Sequence, residues 1–368
     1  MIHSLIKMIF VLTFLSSIFS CNEVPFKNEV KSITTANKAL SFSQRLQPVP
    51  AQAKFIDPDY FIWGGSMVEG DDGKYHLFYS RWEKKHGHNA WLTRSEIAHA
   101  IADSPTGPYV HVEVVLPIRD PKYWDGGTTH NPTIHKFGDK YYLYYMGNTG
   151  DGKVIKGFNW THRNNQRIGV AIADNPNGPW QRFNKPLIDV SEDENAYDAL
   201  LVSNPSIAQR SDGSFIMVYK SVAKHNKLPS GGPVVHLVAT SKHPDKDFVK
   251  HPDPVFTMPG EKFPAEDPFI WVQGDKLFAI VKDMHGAFTN KGQALVMFES
   301  NNGIDWDLAD NPLVSTLQIN WENKGVEKVA HLERPQLWLK EGKPSVLFCA
   351  VDIDRGHSFN VHIPLNTD

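Results

Sequence analysis

The chain has 368 residues, of which 41% are hydrophobic and 21% charged, an ordinary composition for a globular protein. A formal net charge of −3 excludes the dominating positive field with which nucleic-acid-binding proteins neutralise phosphates. Only two cysteines occur, Cys21 and Cys349, and their positions exclude an intramolecular disulfide framework.

Residues 1–21 read as an export signal. Lys7 precedes an apolar run, Met8–Phe19, that is too short to span a bilayer comfortably. The run ends in Ile18-Phe19-Ser20-Cys21, which resembles a bacterial lipoprotein signal with Cys21 as the lipidated residue, although Phe19 departs from the usual small or aliphatic residue. A secretory signal cleaved near Cys21 without lipid is the alternative. Both make the mature protein an exported one, and lipid on Cys21 would anchor it to a membrane. Residues 22–52 are polar and aperiodic, a tether followed by a ring-closing segment around Ser41–Val49.

From residue 53 onward one pattern occurs five times. Thr129-His130-Asn131-Pro132-Thr133-Ile134 is followed by a turn at Gly138-Asp139 and the alternating strand Tyr141-Tyr142-Leu143-Tyr144-Tyr145. Gly65-Ser66-Met67-Val68, Asn204-Pro205-Ser206-Ile207, Asp267-Pro268-Phe269-Ile270 and Arg334-Pro335-Gln336-Leu337 open the other copies. The second residue of each motif falls at 66, 132, 205, 268 and 335, so the steps are 66, 73, 63 and 67 residues. Copies at that period predict an all-β, five-bladed β-propeller over residues 53–368. A stacked β-sandwich would space its strands less regularly. Third strands follow, at Ser95–Ala102, Ile168–Ala173, Val235–Ser241 and Ala294–Ser300. The first two lead into the turns Ala102-Asp103-Ser104-Pro105-Thr106-Gly107-Pro108-Tyr109 and Ala173-Asp174-Asn175-Pro176-Asn177-Gly178-Pro179-Trp180. Cys349 falls in an apolar strand and reads as a buried small hydrophobe.

In a propeller the innermost strands line a central funnel. A proline opens such a strand at little cost, and the residue before it is expected at the funnel mouth. Those residues are Gly65, Asn131, Asn204, Asp267 and Arg334, flanked by Ser66, His130, Glu266 and Glu333.

Here the sequence resembles the five-bladed propeller glycosidases, glycoside hydrolase family 43 and, more distantly, family 117. The strand-Gly-Lys-Tyr-strand pattern and the two Ala-Asp-x-Pro-x-Gly-Pro turns carry the resemblance, over roughly residues 55–363. It implies a carboxylic acid that protonates the leaving oxygen and a carboxylate that activates water. Glu266 in Ala265-Glu266-Asp267-Pro268 matches the acid; blade one has Gly65-Ser66 and blade three Asn204 where carboxylates are expected. Asp59, Asp125 and Asp198, just upstream of their motifs, are therefore the candidate bases, and His130 a further acid or base. Asn131, Asn204, Asp267, Arg334, Arg94, Lys220 and Lys282 are candidate substrate contacts, with Trp63 and Trp124 as sugar platforms. Histidines with Glu266 or Asp267 are candidates to hold a divalent cation such as Ca2+, though no spacing is a strong metal signature.

The expected function is exo-action on acidic, uronic-acid-containing oligosaccharides of an algal, ulvan-like type, most simply hydrolysis. The missing carboxylates keep two alternatives open: a dehydratase or lyase acting on a uronic acid, and a non-catalytic glycan-binding lipoprotein.

Overall fold

The structure, a computed structural model, describes residues 40–354 and 356–367. The export signal and Cys21 lie outside the described residues. Among these, no helix is long and apolar enough to cross a membrane.

Five four-stranded antiparallel sheets form the blades of a propeller. Their innermost strands are Tyr60–Glu69, Thr128–Phe137, Leu201–Gln209, Ala265–Gln273 and His331–Lys340, the segments that the repeated motif marks. Blades one to four then run outward in chain order. The fifth is completed by Lys54–Phe55, which pairs antiparallel with Asn360 and Val361. Ser41–Val49, expected to be the closing strand, lies just before it. Phe42–Arg45 forms a helical turn, and only Leu46 and Val49 make isolated bridges, to Leu365 and Trp321. The two-residue strand beginning at Lys54 does the closing because Phe55 supplies the buried ring, edge-on to Tyr79 at 4.8 Å.

Apolar side chains pack chiefly between neighbouring blades: Phe269 and Trp271 of blade four share a cluster with Leu332, Leu347 and Val361 of blade five. Cys349 is fully buried there. Hydroxyls stitch adjacent blades by accepting backbone N–H groups that would otherwise be orphaned. Ser66 Oγ accepts from Ile134 (3.1 Å), Ser206 Oγ from Ile270 (2.8 Å) and Ser358 Oγ from Ile62 (3.1 Å).

Each innermost strand carries the same bulge. Pairing with the second strand skips two residues, after Trp63, His130, Ser203, Glu266 and Glu333. The first skipped residue is left-handed in all five: Gly64 (φ 55°), Asn131 (53°), Asn204 (50°), Asp267 (54°) and Arg334 (53°). The second is Gly65 or one of the four motif prolines. Proline fits because the bulge takes that residue out of the ladder and asks no N–H of it. The blade-one alignment therefore shifts by one residue: Gly64, not Gly65, takes the ring position. With two adjacent glycines and no proline, the motif alone left that register undefined.

Candidate active site

The repeated bulge turns five quasi-equivalent positions toward the axis. The left-handed residues make a floor. Asn131 Nδ2 donates to Asn204 Oδ1 (2.8 Å), and Asn204 Nδ2 donates to Asp267 Oδ1 (2.7 Å). The Arg334 backbone N–H donates to Asp267 Oδ2 (3.2 Å), while its guanidinium reaches Asp267 Oδ1 and the Asn131 carbonyl, both at 3.4 Å. Arg334 is 1% exposed, one of the largest side chains buried anywhere in the described structure. It lies alongside Gly64.

The residues just before the bulge make the wall. Trp63, His130, Glu266 and Glu333 line a hollow of about 230 Å³ above the floor, with Trp82, His88 and Trp91. Opposite the wall positions, on the second strands, stand Lys220 in blade three and Lys282 in blade four. Each lysine reaches the glutamate of the following blade. Lys220 Nζ donates to Glu266 Oε1 at 2.7 Å, and Lys282 Nζ pairs with Glu333 Oε1, which also meets His331 Nδ1 at 2.9 Å. The same quasi-symmetric device thus occurs in two consecutive blades.

The charge states of these groups diverge. Burial pushes the Glu333 carboxyl up, but the His331 bond and the Lys282 ammonium outweigh it and hold it at about 2. Burial, reinforced by neighbouring Glu266, raises Asp267 to about 6 against the pull of Arg334. His130 is held well below its ordinary value by burial and by the Arg334 charge, so its imidazole is neutral. Its Nδ1 lies 2.7 Å from Ser95 Oγ, and the ring stacks on Trp91 at 4.9 Å.

An outer recess of about 310 Å³ adjoins the hollow and reaches Arg163, Leu201 and Phe263. Trp91, Phe158, Gln166, Lys220 and Glu266 line both spaces. Glu266 therefore stands at the junction of two compartments. That is where a proton donor must stand if a bond joining two sugar units lies across it.

Of the residues predicted from sequence, Glu266, His130, Asn131, Asn204, Asp267, Arg334, Trp63 and Lys220 line the hollow, and Lys282 supports it from behind Glu333. The three candidate bases do not. Asp59 is exposed in the loop before blade one. Asp125 is fully buried in a knot with Arg119, Arg182 and the Tyr145 hydroxyl (2.7 Å). Asp198 is clamped by Lys250 at 2.6 Å. Arg94 donates to the Thr93 and Gly152 carbonyls and ties two insertions together. Trp124 lies flat on Tyr145, and its indole N–H donates to the Phe183 carbonyl at 3.2 Å. Among the described residues, no three His, Cys, Asp or Glu side chains converge in a way that would hold a metal ion. Glu333, not among the candidate catalytic residues, is a second carboxylate on the wall of the hollow. Its signal was the spacing, since Glu333-Arg334-Pro335 repeats Glu266-Asp267-Pro268. Phe158 and Gln166 sit in the blade-two insertion and carried no such signal.

The fold is that of the five-bladed β-propellers to which glycoside hydrolases of families 43 and 117 belong. Among the similar solved structures is Zg3597, a family 117 glycoside hydrolase produced by the marine bacterium Zobellia galactanivorans. It is 16% identical, with a TM-score of 0.62 over 88% of this chain and 89% of that one. An alpha-L-arabinofuranosidase from Lactobacillus brevis is 12% identical (TM-score 0.57; 86% and 94% covered). A thermostable family 43 glycoside hydrolase is also 12% identical (TM-score 0.57; 88% and 96% covered). No protein-family model matches the chain, and no curated protein does.

Proposed function

We propose that the protein is an exo-acting glycoside hydrolase that cleaves the terminal ring from acidic oligosaccharides. The observation that carries this reading is the pair Glu266 and Glu333, quasi-equivalent carboxylates of adjacent blades on the wall of one floored, aromatic-lined hollow. The hollow ends on the hydrogen-bonded floor of Asn131, Asn204, Asp267 and Arg334, which supports the reading of a chain end seated there. The likeness to family 117 and family 43 structures supports the chemistry by analogy of fold.

In this reading Glu333, pinned as an anion by Lys282 and His331, is no proton donor. It supplies negative charge where the ring becomes oxocarbenium-like. Glu266 stands at the junction, held by Lys220 alone where Glu333 has both Lys282 and His331. It gives its proton to the leaving oxygen as the glycosidic bond breaks; water then bonds to the anomeric carbon and returns a proton to Glu266. Trp91 and Trp63 line the hollow and offer aromatic surface to the ring.

One observation favours a second reading. A neutral His130 beside Lys220 and Arg334 has the equipment to abstract the C5 proton of a uronate, eliminating water or a sugar. It is the weaker reading, because the cations needed to neutralise the uronate already hold carboxylates. Incubation with ulvan oligosaccharides separates the two. Hydrolysis yields new reducing ends without ultraviolet absorption, and elimination yields an unsaturated uronate that absorbs. A Glu266→Gln variant is expected to lose about 10²–10⁴-fold in kcat; full turnover would remove Glu266 from the mechanism.

A further inference from the structure

Every cation at the inner hollow already has a carboxylate: Lys220 holds Glu266, Arg334 holds Asp267, and Lys282 holds Glu333. With its carboxylates ionised, as before substrate enters, the hollow is electrically closed. A further anion placed inside it would be desolvated without compensation.

The outer recess is different. Arg163 lines it, and Arg163 Nη1 donates to the Ser230 carbonyl (2.8 Å) and to Asn164 Oδ1 (3.0 Å). Its Nε and Nη2 make no hydrogen bond among the described residues, and no carboxylate pairs with it there. The guanidinium sits 5.6 Å from the Trp160 ring centre, one helical turn away in the helix Trp160–Asn164. Trp160 is 39% exposed and lies tilted by 30° against Phe158, itself 44% exposed, with ring centres 5.7 Å apart. Phe158 meets Trp91 edge-on at 6.4 Å, so aromatic surface continues from the hollow to the rim.

This ledge is held stiffly. Asn159 caps the helix by accepting the His162 N–H (3.2 Å), and its Nδ2 donates to Asp151 Oδ1 (2.9 Å). His162 accepts the Gly152 N–H at Nε2 (2.9 Å), and its Nδ1 lies 2.7 Å from Asn148 Oδ1. Exposed aromatic faces fixed by a polar clasp, beside an arginine with an uncommitted edge, make a surface preorganised for a flat, charged ring.

We propose that the outer recess is a subsite for an anionic sugar on the leaving side of the cleaved bond. The ring stacks on Phe158 and Trp160, and Arg163 takes its carboxylate or sulfate. The inference rests on the reading of Glu266 as the proton donor at the junction. It assigns a neutral ring to the inner hollow and the charge to the next unit.

Calorimetric titration of the full-length Glu266→Gln variant with ulvan oligosaccharides tests it, using native, carboxyl-reduced and desulfated samples. The native sample is expected to bind about tenfold or more tightly than the sample lacking the recognised anion, and the two treatments tell carboxylate from sulfate. Adding Arg163→Gln is expected to bring the ratio near one, while Arg163→Lys, which keeps the charge without the fork, retains part of it. Thermal unfolding checks that each variant is folded. No binding, equal binding of all three samples, or a ratio unchanged by Arg163→Gln overturns the subsite. The hydrolase reading fails separately. Arg163-dependent binding with no reducing ends released by the intact enzyme leaves the subsite standing without hydrolysis; Glu266-dependent release without charge preference does the reverse.

Discussion

Glu333 shows how a single side chain couples stability to the site. Lys282 is almost fully buried against it, so removing the carboxylate strands an ammonium in a desolvated place. Glu333→Gln is expected to cost about 3–5 kcal/mol at neutral pH, read by urea unfolding. The folded carboxyl is depressed from 4.5 to about 2, so its contribution is complete above the unfolded value and lost as pH falls from there through about 2. The gap between wild type and variant should therefore narrow on acidification through that window; a gap that is constant with pH would show that the ion pair is not its source. Asp267 runs the other way. Its folded value of about 6 disfavours the native state as pH rises through it. Both carboxyls are ionised at neutral pH, and the opposite shifts separate them in mildly acidic solution, where Asp267 takes up a proton first. The sequence pointed to Glu266 but sought its partner upstream of the motifs. Asp125 looked available there because one of the two arginines that bind it, Arg182, lies 57 residues on.

At the level of the strand, the bulge is the unit that builds the site. It was legible as a proline motif in four blades, since proline survives only where the ladder asks for no N–H. Blade one hid it behind two glycines. Gly64→Ala forces a side chain into the left-handed region and is expected to cost about 1–2 kcal/mol, with little effect expected from sterics because the new methyl would meet Arg334 and Asn131 only at 3.5 Å. A chemical denaturation curve checks it, and an unchanged midpoint would mean that the bulge relaxes. Trp124 illustrates the opposite error. It looked like a sugar platform, yet its ring fills the space over Gly169, where an added methyl would come within 2.3 Å of it. Gly169→Ala should destabilise by about 1–3 kcal/mol while leaving the preference for acidic over neutralised oligosaccharides as it was. Composition cannot tell a wedge between strands from a platform, because both are aromatic residues beside small ones. Phe158 and Gln166, which line both spaces, escaped for a related reason: an insertion has no repeat to compare it with.

For the whole molecule, periodicity carried the fold. Five spaced motifs suffice to define five blades, because each sheet buries its faces only against its neighbours. The closing strand was misplaced by a few residues, since two paired residues leave almost no pattern. Phe55→Ala removes the ring that packs on Tyr79 and Tyr109, and is expected to cost about 3–5 kcal/mol and to speed proteolysis between blades one and five. Cleavage no faster than in wild type would show that the Leu46 and Val49 bridges hold the ring shut by themselves.

That closure also orders events in time. Arg45 hydrogen-bonds to the carbonyl of Asn366, 321 positions along the chain, and Lys54 waits for Val361. The chain must leave the ribosome to beyond residue 366 before the first blade can meet the last. Until then the early sheets present bare flanks, and the hollow that gathers Glu266, Glu333 and Arg334 does not yet exist.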